Sequence, residues 1–167
     1  LQEPINSLNL NRVYFITTGS SASASELVMN SLSSYIDVSS VGKTTIGKVH
    51  GSVTLYDSDN YTRTGNNLAN EHTWALQPLV LEILNKDNFN DPNGITPTVE
   101  LAEDYENLGV LGERSDPLLD RTILLIATGG RSMNTRVNEF SELKQISNSK
   151  ENYPSGNNMF IELKKKK

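Results

Sequence analysis

Along this chain the spacing of apolar and polar residues changes period, and each change marks an element. Arg12-Val13-Tyr14-Phe15-Ile16-Thr17 is rich in β-branched and aromatic residues and reads as a buried strand. Thr18-Gly19-Ser20-Ser21 follows as a turn. From Ala24 the apolar residues Leu27, Val28, Leu32 and Tyr35 recur at helical spacing and predict a helix with those positions on its apolar face. Ile36–Val41 reads as a second strand, and Ser52-Val53-Thr54-Leu55-Tyr56 alternates like a third. A polar loop with a turn at Gly65-Asn66-Asn67 leads to an extended apolar run, Trp74–Leu84, in which Pro78 indicates an edge or a bulge. Asn85–Asn93 is turn-rich. Ser115-Asp116 ahead of Pro117 is a helix start and Gly129-Gly130 a stop, which predicts a helix over Pro117–Thr128. Arg131–Ser155 is mostly polar, with a helical turn or two expected around Val137–Ile146, and Met159–Leu163 reads as strand-like. The order strand, helix, strand, loop, strand predicts an α/β domain.

Composition narrows the function classes. At 167 residues the chain is long enough to bury a sizeable core. Its mean hydropathy of -0.43 accords with long polar loops. The formal charge of -5, with no clustered basic face, argues against a nucleic-acid partner. Lys164–Lys167 reads as a solvated tail. With no cysteine there is neither a disulfide nor a thiolate–zinc site. No segment is long and apolar enough to span a membrane.

The candidate chemistry centres on Ser23 and Lys48. Ser23 lies in Ser21-Ala22-Ser23-Ala24-Ser25-Glu26, where the predicted strand-to-helix turn opens the helix. A serine there supplies a nucleophile, the positive end of the helix favours a developing oxyanion, and the free N–H of Ala24 is a candidate donor to it. The plainer reading makes Ser21, Ser23 and Ser25 N-cap residues only. Glu26, three residues after Ser23, fits a capping box. Lys48 ends Gly42-Lys43-Thr44-Thr45-Ile46-Gly47-Lys48, and a neutral lysine can take the serine's proton.

That loop has competing readings. It is close to a phosphate-binding P-loop, but Val49 stands where a magnesium-binding Ser or Thr belongs, and the residues after it alternate like a strand instead of opening a helix. Ser40-Val41-Gly42-Lys43 and Ser147-Asn148-Ser149-Lys150 match S-x-x-K, without the S-D-N that accompanies it in penicillin-binding enzymes. Asp87, Phe89 and Asp91 break the calcium-loop pattern at Phe89. His50 and His72 read as surface or hydrogen-bonded histidines.

Arg12 to Lys48 resembles the core of the carboxyl-terminal processing proteases, also called tail-specific proteases. In that family the nucleophile is the middle serine of a Thr/Ser-Ala-Ser-Ala-Ser-Glu segment, which is Ser23 here, and the lysine base ends a Gly-x-x-Thr-x-Gly-Lys loop twenty-five residues later, which is Lys48. Gly94-Ile95-Thr96-Pro97-Thr98-Val99 resembles the family's Gly-Ile-x-Pro-Asp-Val, with Thr98 in place of Asp, and Asp116-Pro117-Leu118-Leu119 resembles its Asp-Pro-x-Leu helix opening. The resemblance runs over residues 12 to 128. Many members carry a lysine-orienting glutamine four residues after the lysine; here position 52 is Ser, so Ser52, Thr45 or a backbone carbonyl is the candidate to orient Lys48. The Gly-rich stretch expected to give a second oxyanion donor, and the PDZ-like domain usual upstream, do not occur in Leu1–Asn11.

The resemblance implies a partial ββα-superhelix of the ClpP/crotonase type, with residues 1–130 as the C-terminal part of a serine peptidase catalytic domain and 131–167 as a polar extension of it. It implies a serine endopeptidase that hydrolyses protein or peptide substrates through a Ser23–Lys48 dyad, with Ala24 in the oxyanion hole. No metal or organic cofactor is implied. Further expectations are an extracytoplasmic setting in the periplasm or cell envelope, lipid anchoring, self-association, and little activity from this stretch of chain by itself. The alternative is a catalytically degenerate protease-like domain that binds peptides or a protein partner.

Overall fold

The computed structural model describes residues 7–129, 146–147 and 149–152. The polar extension expected over 131–167 lies almost wholly outside these residues. So do the helical turns around Val137–Ile146 (Ile146 apart), the strand at Met159–Leu163 and the lysine tail. In chain order the elements are β1 (Arg12–Thr17), α1 (Ala24–Ser33), β2 (Asp37–Gly42), β3 (His50–Ser52), β4 (Leu55–Tyr56), β5 (Ala75–Leu76), β6 (Leu79–Glu82), β7 (Val99–Glu100) and α2 (Pro117–Ala127), with a 3-10 turn at Ser149–Asn152. They fall into two compact units, one made of 7–49 and 83–129, the other of 50–82 with the described residues after 145.

The first unit is α/β. β1 and β2 pair in parallel, from Arg12 opposite Asp37 to Thr17 opposite Gly42. Parallel neighbours need a crossover, and α1 supplies it. β7 adds in parallel to the other side of β2, with Val41 opposite Val99, so β2 is central. α2 begins where the sequence signals it. The Asp116 carboxylate accepts from the Leu118 and Leu119 amides at 3.0 and 3.2 Å, and Pro117 takes a first-turn position where its missing N–H costs nothing. α2 packs on β1 and β2 through Leu118 and Leu125, which form the apolar core with Val41, flanked by Tyr14, Val99 and Leu101. Each such burial contributes about 1.5–3 kcal/mol.

α1 forms where expected but buries a different face. Leu27, Val28 and Tyr35 are exposed, and Glu26, Met29 and Asn30 are the buried residues. The polar pair is tolerated because it is satisfied. Asn30 Nδ2 donates to the Phe89 carbonyl at 2.8 Å, and Asn30 Oδ1 accepts from Asn85 Nδ2 at 3.2 Å. The bonds to Glu26 belong to the site below.

The second unit holds two antiparallel ribbons. β3 pairs with β6, His50 opposite Glu82, with a bulge between Gly51 and Ser52. β4 pairs with β5, Leu55 opposite Leu76. The strand expected over Ser52–Tyr56 is therefore split between two ribbons. The Trp74–Leu84 run is split at Gln77-Pro78, where the Pro78 carbonyl accepts from the Val53 amide at 3.3 Å. The proline sits at an interruption because it has no N–H to give to a continuous ladder.

Candidate active site

The end of β1 and the start of the lysine loop are fastened together. The Thr17 carbonyl accepts from the Lys43 amide at 3.0 Å, and its hydroxyl donates to the Lys43 carbonyl at 2.8 Å. The chain then turns, with the Ser21 amide donating to the Thr18 carbonyl, and a second tie follows as the Ile46 amide donates to the Ser21 carbonyl at 2.9 Å. These bonds deliver Ser23 to the mouth of α1.

Ser23 is half-buried and has φ 57°, ψ -110°, a conformation that a side-chain-bearing residue rarely adopts. Such a backbone costs on the order of 1–3 kcal/mol and persists only where its surroundings enforce it. Its carbonyl accepts the first helical bond, from Leu27 N at 2.8 Å. Ala24 follows at the first helical position, exposed, where the helix geometry leaves an amide without an intrahelical acceptor.

Glu26 is the enforcing group. It is only 3% exposed. Its Oε2 accepts from the Ser23 amide at 2.7 Å and from the Lys48 amide at 2.9 Å, and its Oε1 accepts from the Gly47 amide at 2.5 Å. The Thr45 hydroxyl is a further hydrogen-bond partner. The Ser23 and Lys48 amides thus share one oxygen and lie no farther apart than the sum of their two bonds to it. Burial alone pushes the Glu26 carboxyl up, but the hydrogen bonds from Thr45, Gly47, Ser23 and Lys48 outweigh it and hold the group below the ordinary carboxylate range. A charge-assisted bond of this kind contributes about 1.5–3 kcal/mol, enough to offset the strain at Ser23.

The lysine loop is braced from behind by the Gly94 segment. Gly47 and Gly94 both have positive φ, 81° and 92°. A Cβ on Gly47 would run into the Pro92 carbonyl, and one on Gly94 into the Thr45 carbonyl, so the two backbones lie against each other with no room for side chains. Thr45 and Ile95 complete the contact: Thr45 N donates to the Ile95 carbonyl at 3.2 Å, and Ile95 N donates to Thr45 Oγ1 at 2.8 Å. Thr98 accepts from the Ser40 amide at 3.1 Å. Lys48 itself is half-buried. After it the chain runs through buried Val49 into β3, so no helix opens at this loop as a phosphate site requires.

The structure thus brings the main chains of Ser23 and Lys48 together and sets Ala24 at the helix opening beside them. Thr45 binds Glu26, and Ser52 belongs to β3 of the second unit, opposite Leu79. His72 pairs with Asp57 at 3.2 Å in the second unit, and His50 is exposed in β3. Sequence reasoning gave Glu26 a cap and missed its three further donors. The only signal in the chain was its spacing from Ser23, since main-chain donors leave no mark in residue identity.

Among solved structures, this chain is similar to one from Bacteroides fragilis described as a candidate S41 protease. The TM-score is 0.57 and the identity 26%, over 73% of this chain and 29% of that one. The likeness is to a peptidase. It supports reading this chain as part of a peptidase-like α/β domain, and this chain spans less than a third of that protein's length. No protein-family model and no curated protein matches the chain.

Proposed function

We propose that this chain carries the nucleophile and the base of a serine endopeptidase of the carboxyl-terminal processing type. The observation that carries the reading is the convergence of the Ser23 and Lys48 amides, twenty-five residues apart in sequence, on one buried carboxylate oxygen. Ser23's positive φ supports it, because strain of this kind is maintained where a side chain must be aimed.

In this reading the Lys48 amine takes the proton from Ser23 Oγ as Oγ attacks the peptide carbonyl carbon. The oxyanion receives the Ala24 N–H at the positive end of α1. Lys48 returns the proton to the leaving amine as the C–N bond breaks. Water then hydrolyses the ester, with Lys48 accepting its proton and Ser23 Oγ regaining one. The parallel β1–α1–β2 crossover is compatible with a ClpP/crotonase-like superhelix in the larger domain. Substrates are extended protein or peptide chains in an extracytoplasmic compartment.

Treating the full-length protein with a fluorophosphonate tests the reading. The expected result is an adduct that Ser23→Ala abolishes together with peptide cleavage, while the fold remains. A degenerate, peptide-binding domain gives neither adduct nor cleavage.

A further inference from the structure

We infer that Glu26 is a positioning residue of the Ser23–Lys48 site, fixing the lysine-bearing loop against the opening of the nucleophile helix, an inference that rests on the reading above. A helix cap needs one bond, from the Ser23 amide to the Glu26 carboxylate, and that bond is present at 2.7 Å. The Gly47 and Lys48 amides and the Thr45 hydroxyl lie beyond any capping role, and all three come from the loop that ends in the proposed base.

Both held main chains are close to the reacting groups. The Ser23 amide nitrogen is bonded to the Cα that carries the nucleophile, so holding it sets where Cβ and Oγ start. The Lys48 amide does the same for the lysine stem. Thr45 extends the bracing: its hydroxyl binds Glu26 while its Oγ1 accepts from Ile95 N at 2.8 Å, joining the carboxylate to the Gly94 segment. A carboxylate suits this place because it accepts from every direction and donates to none.

The chemistry separates positioning from simple support. Glu26→Gln keeps the shape but puts an amide NH2 where only donors converge. Glu26→Asp keeps the charge but withdraws the carboxylate by one methylene, and a misplacement of about 1 Å costs on the order of 10²-fold in rate. In the full-length protein both variants are expected to melt cooperatively, to lose about 10²-fold in kcat and in the rate of fluorophosphonate labelling at Ser23, and to leave KM within about twofold of wild type. Wild type, Ser23→Ala and Lys48→Ala are measured alongside. If wild type takes no label at Ser23, or if Ser23→Ala or Lys48→Ala still turns over peptide, the Ser23–Lys48 reading fails and this inference falls with it. If wild type is labelled and both active-site variants are dead, but a folded Glu26 variant keeps wild-type kcat and labelling rate, the inference alone is overturned. Loss of the melting transition in both Glu26 variants also overturns it, since Glu26 would then be holding the fold together and not aiming two side chains.

Discussion

The two helices of the first unit are held by different physics. α2 packs through Leu118 and Leu125 onto Val41, an apolar contact with no directional demand. α1 buries Glu26 and Asn30 beside Met29, and these two polar side chains are held by hydrogen bonds with defined partners and lengths. Apolar packing supplies bulk stability, whereas hydrogen bonds specify where a particular atom lies. The candidate site lies at the opening of α1, with its serine and lysine amides tied to one carboxylate.

The largest effect is expected at the apolar core. Leu125→Ala removes a buried side chain, 6% exposed, and is expected to cost about 3–4 kcal/mol of stability, read by denaturant titration, while the protein that remains folded labels at Ser23 at nearly the wild-type rate. Equal loss of stability and site reactivity would erase the distinction between the two helices. Gly47→Ala acts at the hydrogen-bonded opening of α1. With φ 81° and the Pro92 carbonyl in the way, it is expected to cost about 2 kcal/mol. Unlike Leu125→Ala, it should also abolish labelling of the folded protein, because the loop must shift.

A smaller effect comes from acid. The folded state holds Glu26 below its ordinary range, so its ionised bonds stabilise the fold at neutral pH. That contribution is lost as pH falls from the ordinary carboxylate range through the depressed value. Thermal melts between neutral and acid pH should show wild type losing a part of its stability that Glu26→Gln lacks; identical pH dependence of the two would remove Glu26 from the account. The smallest effect belongs to the second unit. Val80 is 57% exposed on β6, and Val80→Thr is expected to change stability by less than about 0.5 kcal/mol and labelling not at all.

The difference between the two helices also decides what could be read from the sequence. β1 came through with both boundaries and α2 with its start, its end falling one residue early at Ala127, because local patterns set them: a β-branched run for β1, and Asp116-Pro117 and Gly129 for α2. The placement of Ser23 at the opening of α1 was legible because the turn before it and the helical spacing after it are local. The buried face of α1 was not. Leu27, Val28 and Tyr35 form the apolar stripe, yet the adjacent stripe with Glu26, Met29 and Asn30 is the one covered, because hydrogen-bond partners at Phe89, Asn85 and the lysine loop satisfy its polar groups. Partners so distant in sequence leave no periodicity. The Ser52–Tyr56 strand failed for a related reason: the bulge at Gly51/Ser52 and the bond from Val53 to Pro78 are tertiary, and alternation alone does not record them.

The proposed mechanism stands on Ser23 being a nucleophile activated by Lys48. Its most direct test is mass spectrometry of the full-length protein after fluorophosphonate treatment, run beside Lys48→Arg, whose guanidinium stays protonated and cannot take the serine's proton. A single adduct on Ser23 is expected in wild type and none in Lys48→Arg. An adduct on Ser21 or Ser25, or undiminished labelling of Ser23 in Lys48→Arg, contradicts it.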